Sequence, residues 1–139
     1  MEKIVNRILV PIDGSKTSYN AIKYASKLAK SSDAQIHLLN VIDTERMGPT
    51  DDETLYDLKV EHAKNILEEA EGIAMSYVLN VTKEITKGPV PETIVSVAKE
   101  NGFDLIVMGT RGMSDYNNSM LGHVSEKVAK YAHCPVVLV

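Results

Sequence analysis

Short apolar runs alternate with stretches of helical period along this whole chain, and no other feature limits the fold so tightly. Ile4 to Val10 reads as a strand, with turn signals behind it at Pro11 and Asp13-Gly14. From Lys16 to Lys30 the period changes, and Ala21, Ile22, Ala25, Leu28 and Ala29 share one helical face. Ser15 or Thr17 is placed to cap that helix, and Ser31-Ser32-Asp33 ends it. Gln35 to Ile42 is a second strand, Asp43 to Asp52 a loop, and Glu53 to Glu71 a long helix with Gly72 just past its end. A third strand spans Tyr77 to Ile85. Pro91 opens a third helix, where its missing N–H costs nothing, and Asn101-Gly102 stops it. Phe103 to Met108 is the fourth strand, Leu121, Val124, Val128 and Tyr131 or Ala132 mark a fourth helix, and Val136 to Val139 is a fifth strand.

A β-α-β-α-β-α-β-α-β order joins each strand to the next through a helix. That connection suits parallel strands, and it requires an α/β sheet with helices on both faces. The 139 residues fit a single domain, 1–139, and no repeat, linker or low-complexity tract divides them. In a doubly wound sheet the ligand crevice lies beyond the carboxyl ends of the strands, where the connections change direction.

Three segments are expected at that crevice: Pro11 to Ser15, Asn40 to Asp43, and the stretch from Gly109 to Glu126. In the third, Gly109, Gly112 and Gly122 remove Cβ atoms where a chain turns tightly or approaches a ligand, and Ser119 and Ser125 bring hydroxyls to a helix start. Free N–H groups and the dipole make such a start favourable for anions. From spacing alone, the glycines serve equally well as a phosphate cradle or as three separate turns. GxxxxGK[ST] is absent, and the first turn, DGSKTS, is not GxGxxG. A Walker-type site and a dinucleotide fingerprint are both excluded.

The pattern Gly109-x-x-Gly112, nine residues, Gly122, then His123-Val124-Ser125-Glu126 resembles the ATP-binding signature of the universal stress protein family. ILVPIDGS, DLIVMGTRG and CPVVLV resemble the same family. The resemblance implies a Rossmann-like, open five-stranded parallel sheet in the order 3-2-1-4-5. It implies that Pro11 and Asp13 line the adenine and ribose side, with Val41 completing the adenine contact. Met108, Gly109 and Gly112 would border ribose and phosphate. Gly122, His123, Val124 and Ser125 would hold the phosphates, with Mg²⁺ or Mn²⁺ bound through them. It also implies a homodimer joined through the last strand. His123 departs from the pattern, because a small hydroxyl residue usually follows the final glycine.

The leading reading is therefore an ATP-binding stress-response or regulatory protein that acts as a homodimeric switch. Its alternatives are a slow Mg-dependent ATPase and a nucleotide-free interaction module. No catalytic residue is assigned, since His123 is the sole candidate base near the phosphates. The net charge of -4 disfavours nucleic-acid and anionic-membrane partners. Arg7 and Asp13 interrupt the opening apolar run, so neither a signal peptide nor a spanning segment is expected, and the cytoplasm is the default location. Cys134, the one cysteine, stands beside Pro135 among apolar residues and reads as a structural thiol. His37, His62 and His133 match no metal-ligand spacing, and Asp104 is expected to satisfy backbone at the start of the fourth strand.

Overall fold

The computed structural model describes residues 4–44, 53–110 and 122–139. Their elements are β1 (Arg7–Pro11), α1 (Lys16–Ser32), β2 (Gln35–Asp43), α2 (Glu53–Met75), β3 (Val81–Gly88), α3 (Val90–Glu100), β4 (Leu105–Met108), α4 (His123–Tyr131) and β5 (Val136–Leu138). All strand pairs are parallel, and the sheet order is β3-β2-β1-β4-β5. This is the α/β, Rossmann-like architecture that the alternation and the resemblance imply.

Successive residues of a strand point to opposite faces, and the core divides accordingly. Ile8 and Val10 of β1, with Ile36 and Leu38 of β2, pack against Ala21, Ile22 and Ala25 of α1 and Leu67 and Ala70 of α2. Leu9, Leu39 and Ile106 face the other way, toward Ile94 and Ala98 of α3 and Val128 of α4. Small alanines on α1 let that helix lie close to the sheet. Ser15 is its N-cap, accepting from the Ser18 N–H at 3.3 Å. Asp33 closes it in the left-handed region at φ 54°. Among the described residues, no helix is long and apolar enough to cross a membrane.

Several boundaries differ from the sequence reading, each for a local reason. β1 begins at Arg7, and Ile4 is 89% exposed. The N–H groups of Asn6 and Arg7 both donate to Asp104 Oδ2 at 2.8 Å, so a carboxylate stands where a neighbouring strand would otherwise begin. Asp104 thus satisfies backbone as expected, but at the entry to β1, and β4 starts only after it, at Leu105. α2 continues through Gly72 to Met75 because the added turn buries Ala74. A helical glycine costs about 1 kcal/mol against alanine, which that burial offsets. The N–H groups of Tyr77 and Val78 then fold back onto the Ala74 carbonyl, each at 3.0 Å. β3 therefore starts at Val81 instead of Tyr77, and Leu79 is left 85% exposed.

β3 and β5 form the two edges of the sheet. On β3, Lys83 and Lys87 are exposed, with Lys83 Nζ 3.0 Å from Glu71 Oε1 and Lys87 lying over the Tyr56 ring. β5 carries Val136, Val137 and Leu138, all half-buried.

Removing the Asp104 carboxylate leaves two strand-entry N–H groups without their acceptor. Asp104→Ala should cost about 1–3 kcal/mol in urea unfolding, and Asp104→Asn less, because its amide oxygen still accepts. A loss within the roughly 0.5 kcal/mol typical of surface substitutions would show that β1 starts without this carboxylate.

Candidate functional site

β1 connects through α1 to β2 on one side, while β4 flanks it on the other. The connections therefore part beyond the carboxyl ends of β1 and β4, the switch point at which such sheets open a crevice. The exits of β1 and β4 and the start of α4 are all tied to neighbouring elements there.

At the β1 exit, the Ile12 N–H donates to the Leu39 carbonyl at 2.8 Å. The Ile12 carbonyl in turn accepts from Nδ2 of Asn40, a buried polar side chain on β2, at 3.0 Å. Both bonds hold the turn from the neighbouring strand. Asp13 follows, exposed, with its Oδ1 accepting from the Ser15 N–H at 2.9 Å. Gly14 has φ +85°, a conformation that side chains rarely adopt, and it packs under Ile66 of α2.

The β4 exit is held more tightly. Met108 is buried. A Cβ on Gly109 would sit 2.7 Å from the backbone carbonyl carbon of Thr17 and closer still to its Oγ1. The glycine is thus explained by clearance against α1. At Thr110, the N–H donates to the Val139 carbonyl at 3.0 Å. Its carbonyl accepts from the Gly122 N–H at 2.6 Å and from Ser125 Oγ at 2.9 Å. The chain leaving β4 and the chain entering α4 are therefore joined at one residue.

Gly122 caps α4 with φ -64°, open to any residue, so backbone conformation does not require glycine there. The first intrahelical bond is Glu126 N–H to the Gly122 carbonyl, at 2.9 Å. The N–H groups of His123, Val124 and Ser125 precede it and form the positive end of the helix.

The structure thus brings Pro11, Asp13, Met108, Gly109, Gly122, His123, Val124 and Ser125 to the strand exits or the α4 start. Val41 is half-buried near the end of β2, packed against the α3/α4 side of the core. Gly112 and Ser119 lie outside the described residues. His123 is exposed at the first position of α4. Ser125, by contrast, is only 2% exposed and directs its hydroxyl inward. Two contributors were given no individual role from the sequence, Asn40 and Thr110, and a third, Thr17, was read only as a possible cap of α1, a place that Ser15 takes. Asn40 had a signal, a lone amide inside the apolar run QIHLLNVI. Thr17 and Thr110 had none, since their parts are set by contacts distant in the chain.

Of the remaining residues singled out in the sequence, His37 and Cys134 have structural contacts. His37 Nε2 lies 2.8 Å from Glu84 Oε1, Nδ1 lies 2.6 Å from Thr82 Oγ1, and the ring stacks on Phe103. His62 and His133 are exposed. Cys134 is half-buried against the α3/α4 core. Burial, and secondarily the charge of Asp104, pushes its thiol up, which disfavours the reactive thiolate. Among the described residues, no group of three or more His, Cys, Asp or Glu side chains could hold a metal ion.

The universal stress protein family model matches residues 5–139. The chain belongs to that family. One relative is the universal stress protein MJ0531 of Methanocaldococcus jannaschii, 33% identical over 142 residues, which cover 99% of this chain and 84% of the relative. Among solved structures of the family, MJ0577 of the same organism superposes with a TM-score of 0.89 at 30% identity, covering 98% of this chain and 96% of that one. A universal stress protein in complex with cAMP gives 0.77 at 26% identity, with 96% of each chain covered.

Because the Gly109 clearance involves α1 and no ligand, its loss should register without one. Gly109→Ala should lower stability by about 1–3 kcal/mol in thermal denaturation of the ligand-free protein. Thr17→Ala should restore only part of this, since the Thr17 backbone also stands in the way. An unchanged melting temperature in Gly109→Ala would remove the clearance argument.

Proposed function

We propose that this universal stress protein binds ATP in the crevice at the β1/β4 switch point and uses it as a regulatory ligand. The observation that carries this reading is the junction at Thr110. By joining the β4 exit to Gly122, it sets the start of α4 beside the strand exits, with the N–H groups of its first turn ahead of any intrahelical bond. A helix start in that place suits a phosphate chain through hydrogen bonding and dipole together. Backbone groups of Gly122, His123 and Val124 would hold the phosphates, beside Gly112 of the same signature. Asp13 would accept from ribose hydroxyls, Pro11 and Val41 would bound the base, and Met108 and Gly109 would border the sugar. Mg²⁺ or Mn²⁺ would be held through the phosphates. The relative solved with cAMP supports an adenine nucleotide as the ligand class.

The regulatory part of the reading rests on association. We further propose a two-fold homodimer through the outer edge of β5. The Ile106 N–H donates to the Pro135 carbonyl and the Val139 N–H to the Met108 carbonyl, so odd-numbered residues of this strand bond to β4. The N–H and C=O groups of Val136 and Leu138 then point to the open edge. A ligand that binds one form of the protein better than another shifts the population toward it.

Calorimetry with MgATP tests the site. The wild type should bind, and Gly122→Val should lose binding of about tenfold or more while keeping its circular dichroism spectrum, because an isopropyl group would crowd the first-turn N–H groups. Equal affinity in the two proteins would sink the site. For the dimer, Val136→Pro removes one outward donor and leaves the β4 ladder intact. It should be a folded monomer by light scattering, and a dimer as tight as the wild type would count against this edge.

A further inference from the structure

We propose that Ser125 is a positioning residue whose hydroxyl braces the α4 start against the β4 exit, and that it gives no hydrogen bond to the phosphates. This rests on the nucleotide reading above and deepens it.

Ser125 is the third residue of α4 and only 2% exposed. Its Oγ lies 2.9 Å from the Thr110 carbonyl and 3.0 Å from the Gly122 carbonyl. A hydroxyl has one proton, and among the described residues both acceptors within its reach are carbonyls of the chain itself. Phosphate oxygens only accept from a serine, so binding one through Ser125 would require taking that proton from the Thr110 and Gly122 carbonyls. The lone pairs left on Oγ offer an anion nothing. The bond instead completes a small closed figure. The Thr110 carbonyl takes two donors, the Gly122 N–H from one side and Ser125 Oγ from the other. The Gly122 carbonyl, also within reach of Oγ, is where the helix makes its first internal bond, to the Glu126 N–H. Without the hydroxyl, one bond would remain between Thr110 and the helix start, and the first turn could pivot about it.

The same figure reaches the sheet. Thr110 donates its N–H to the Val139 carbonyl, just past β5. The aim of the N–H groups at His123 and Val124 is thus referred through Thr110 to the strand ladder. The hydroxyl that secures this reference belongs to the helix whose direction it sets. Loss of the brace should affect the ligand in proportion to its phosphates, because the turn at Asp13 is held separately by Asn40 and the β2 ladder.

The test compares Ser125→Ala, Ser125→Val and Ser125→Thr with the wild type, all checked for folding by circular dichroism. Valine and threonine have nearly the same shape, so they differ mainly in the hydroxyl and decide the matter even if alanine fails to fold. Two measurements are made. The first is calorimetric affinity for MgATP and for adenosine. The second is native-state amide exchange at Gly122 in the ligand-free proteins, followed by NMR. We expect Ser125→Ala and Ser125→Val to lose about tenfold in MgATP affinity and less than about twofold for adenosine, with Ser125→Thr near the wild type. Exchange at Gly122 should accelerate about tenfold in the alanine and valine variants and stay slow in threonine. Weakened MgATP binding with unchanged Gly122 exchange would mean that Ser125 contacts the phosphates directly, and the proposal fails. Unchanged MgATP affinity in the alanine and valine variants overturns it as well. Should the wild type bind no MgATP, the nucleotide reading falls on that result alone, while the exchange data still decide whether Ser125 is the brace.

Discussion

Past Arg7, strand β1 has no surface of its own. Ile8, Leu9 and Val10 are fully excluded from solvent, with β2 and β4 on the two edges and a helical layer on each face. A strand buried in this way must place every backbone polar group in a ladder and every side chain in one of two cores. Its neighbours run parallel to it, and parallel neighbours need crossover helices. α1 leads off to one side of β1, whereas β4 on the other side is reached only after β3 and α3. The crevice beyond β1 follows from that division. It is the place from which the chain departs in two directions.

Most of what shapes the crevice is supplied by a neighbouring element. Asn40 on β2 fixes the β1 turn, Thr17 on α1 sets the clearance at Gly109, and Thr110 after β4 fixes the entry to α4. The glycines illustrate how varied these demands are. Gly14 is required by its dihedral angle and Gly109 by a neighbouring backbone, whereas the dihedral angle of Gly122 is open to any residue. Glycines that gather near one site thus answer, in physical terms, to different constraints.

The fold was largely legible in the sequence because it rests on periodicity. The alternation of short apolar runs with stretches of helical period located the nine described elements, and the apolar face of α1 appears in the core as read. What failed were ends. Gly72 looked like a helix stop, but burial of Ala74 carried α2 onward, and that extension moved the start of β3. Ile4 looked like the start of a strand because its apolar character cannot show that Asp104, about a hundred residues away, defines the true beginning. The site was legible in outline only. Its segments could be placed by topology, and the family likeness supplied the roles of single residues. The direction of the Ser125 hydroxyl and the junction at Thr110 depend on contacts between distant parts of the chain, which no local pattern encodes.

The two borders of the sheet are chemically unlike, and this bears on how such molecules can add to one another. β3 spans eight residues, with the exposed ammonium groups of Lys83 and Lys87 beside it, a common guard against further strand pairing. β5 is three residues of aliphatic side chains with no charge. A sheet that could add strands at both borders would propagate into a fibril. With one border guarded, any pairing at β5 would leave only lysine-flanked borders facing outward, and such an assembly would terminate at a finite size.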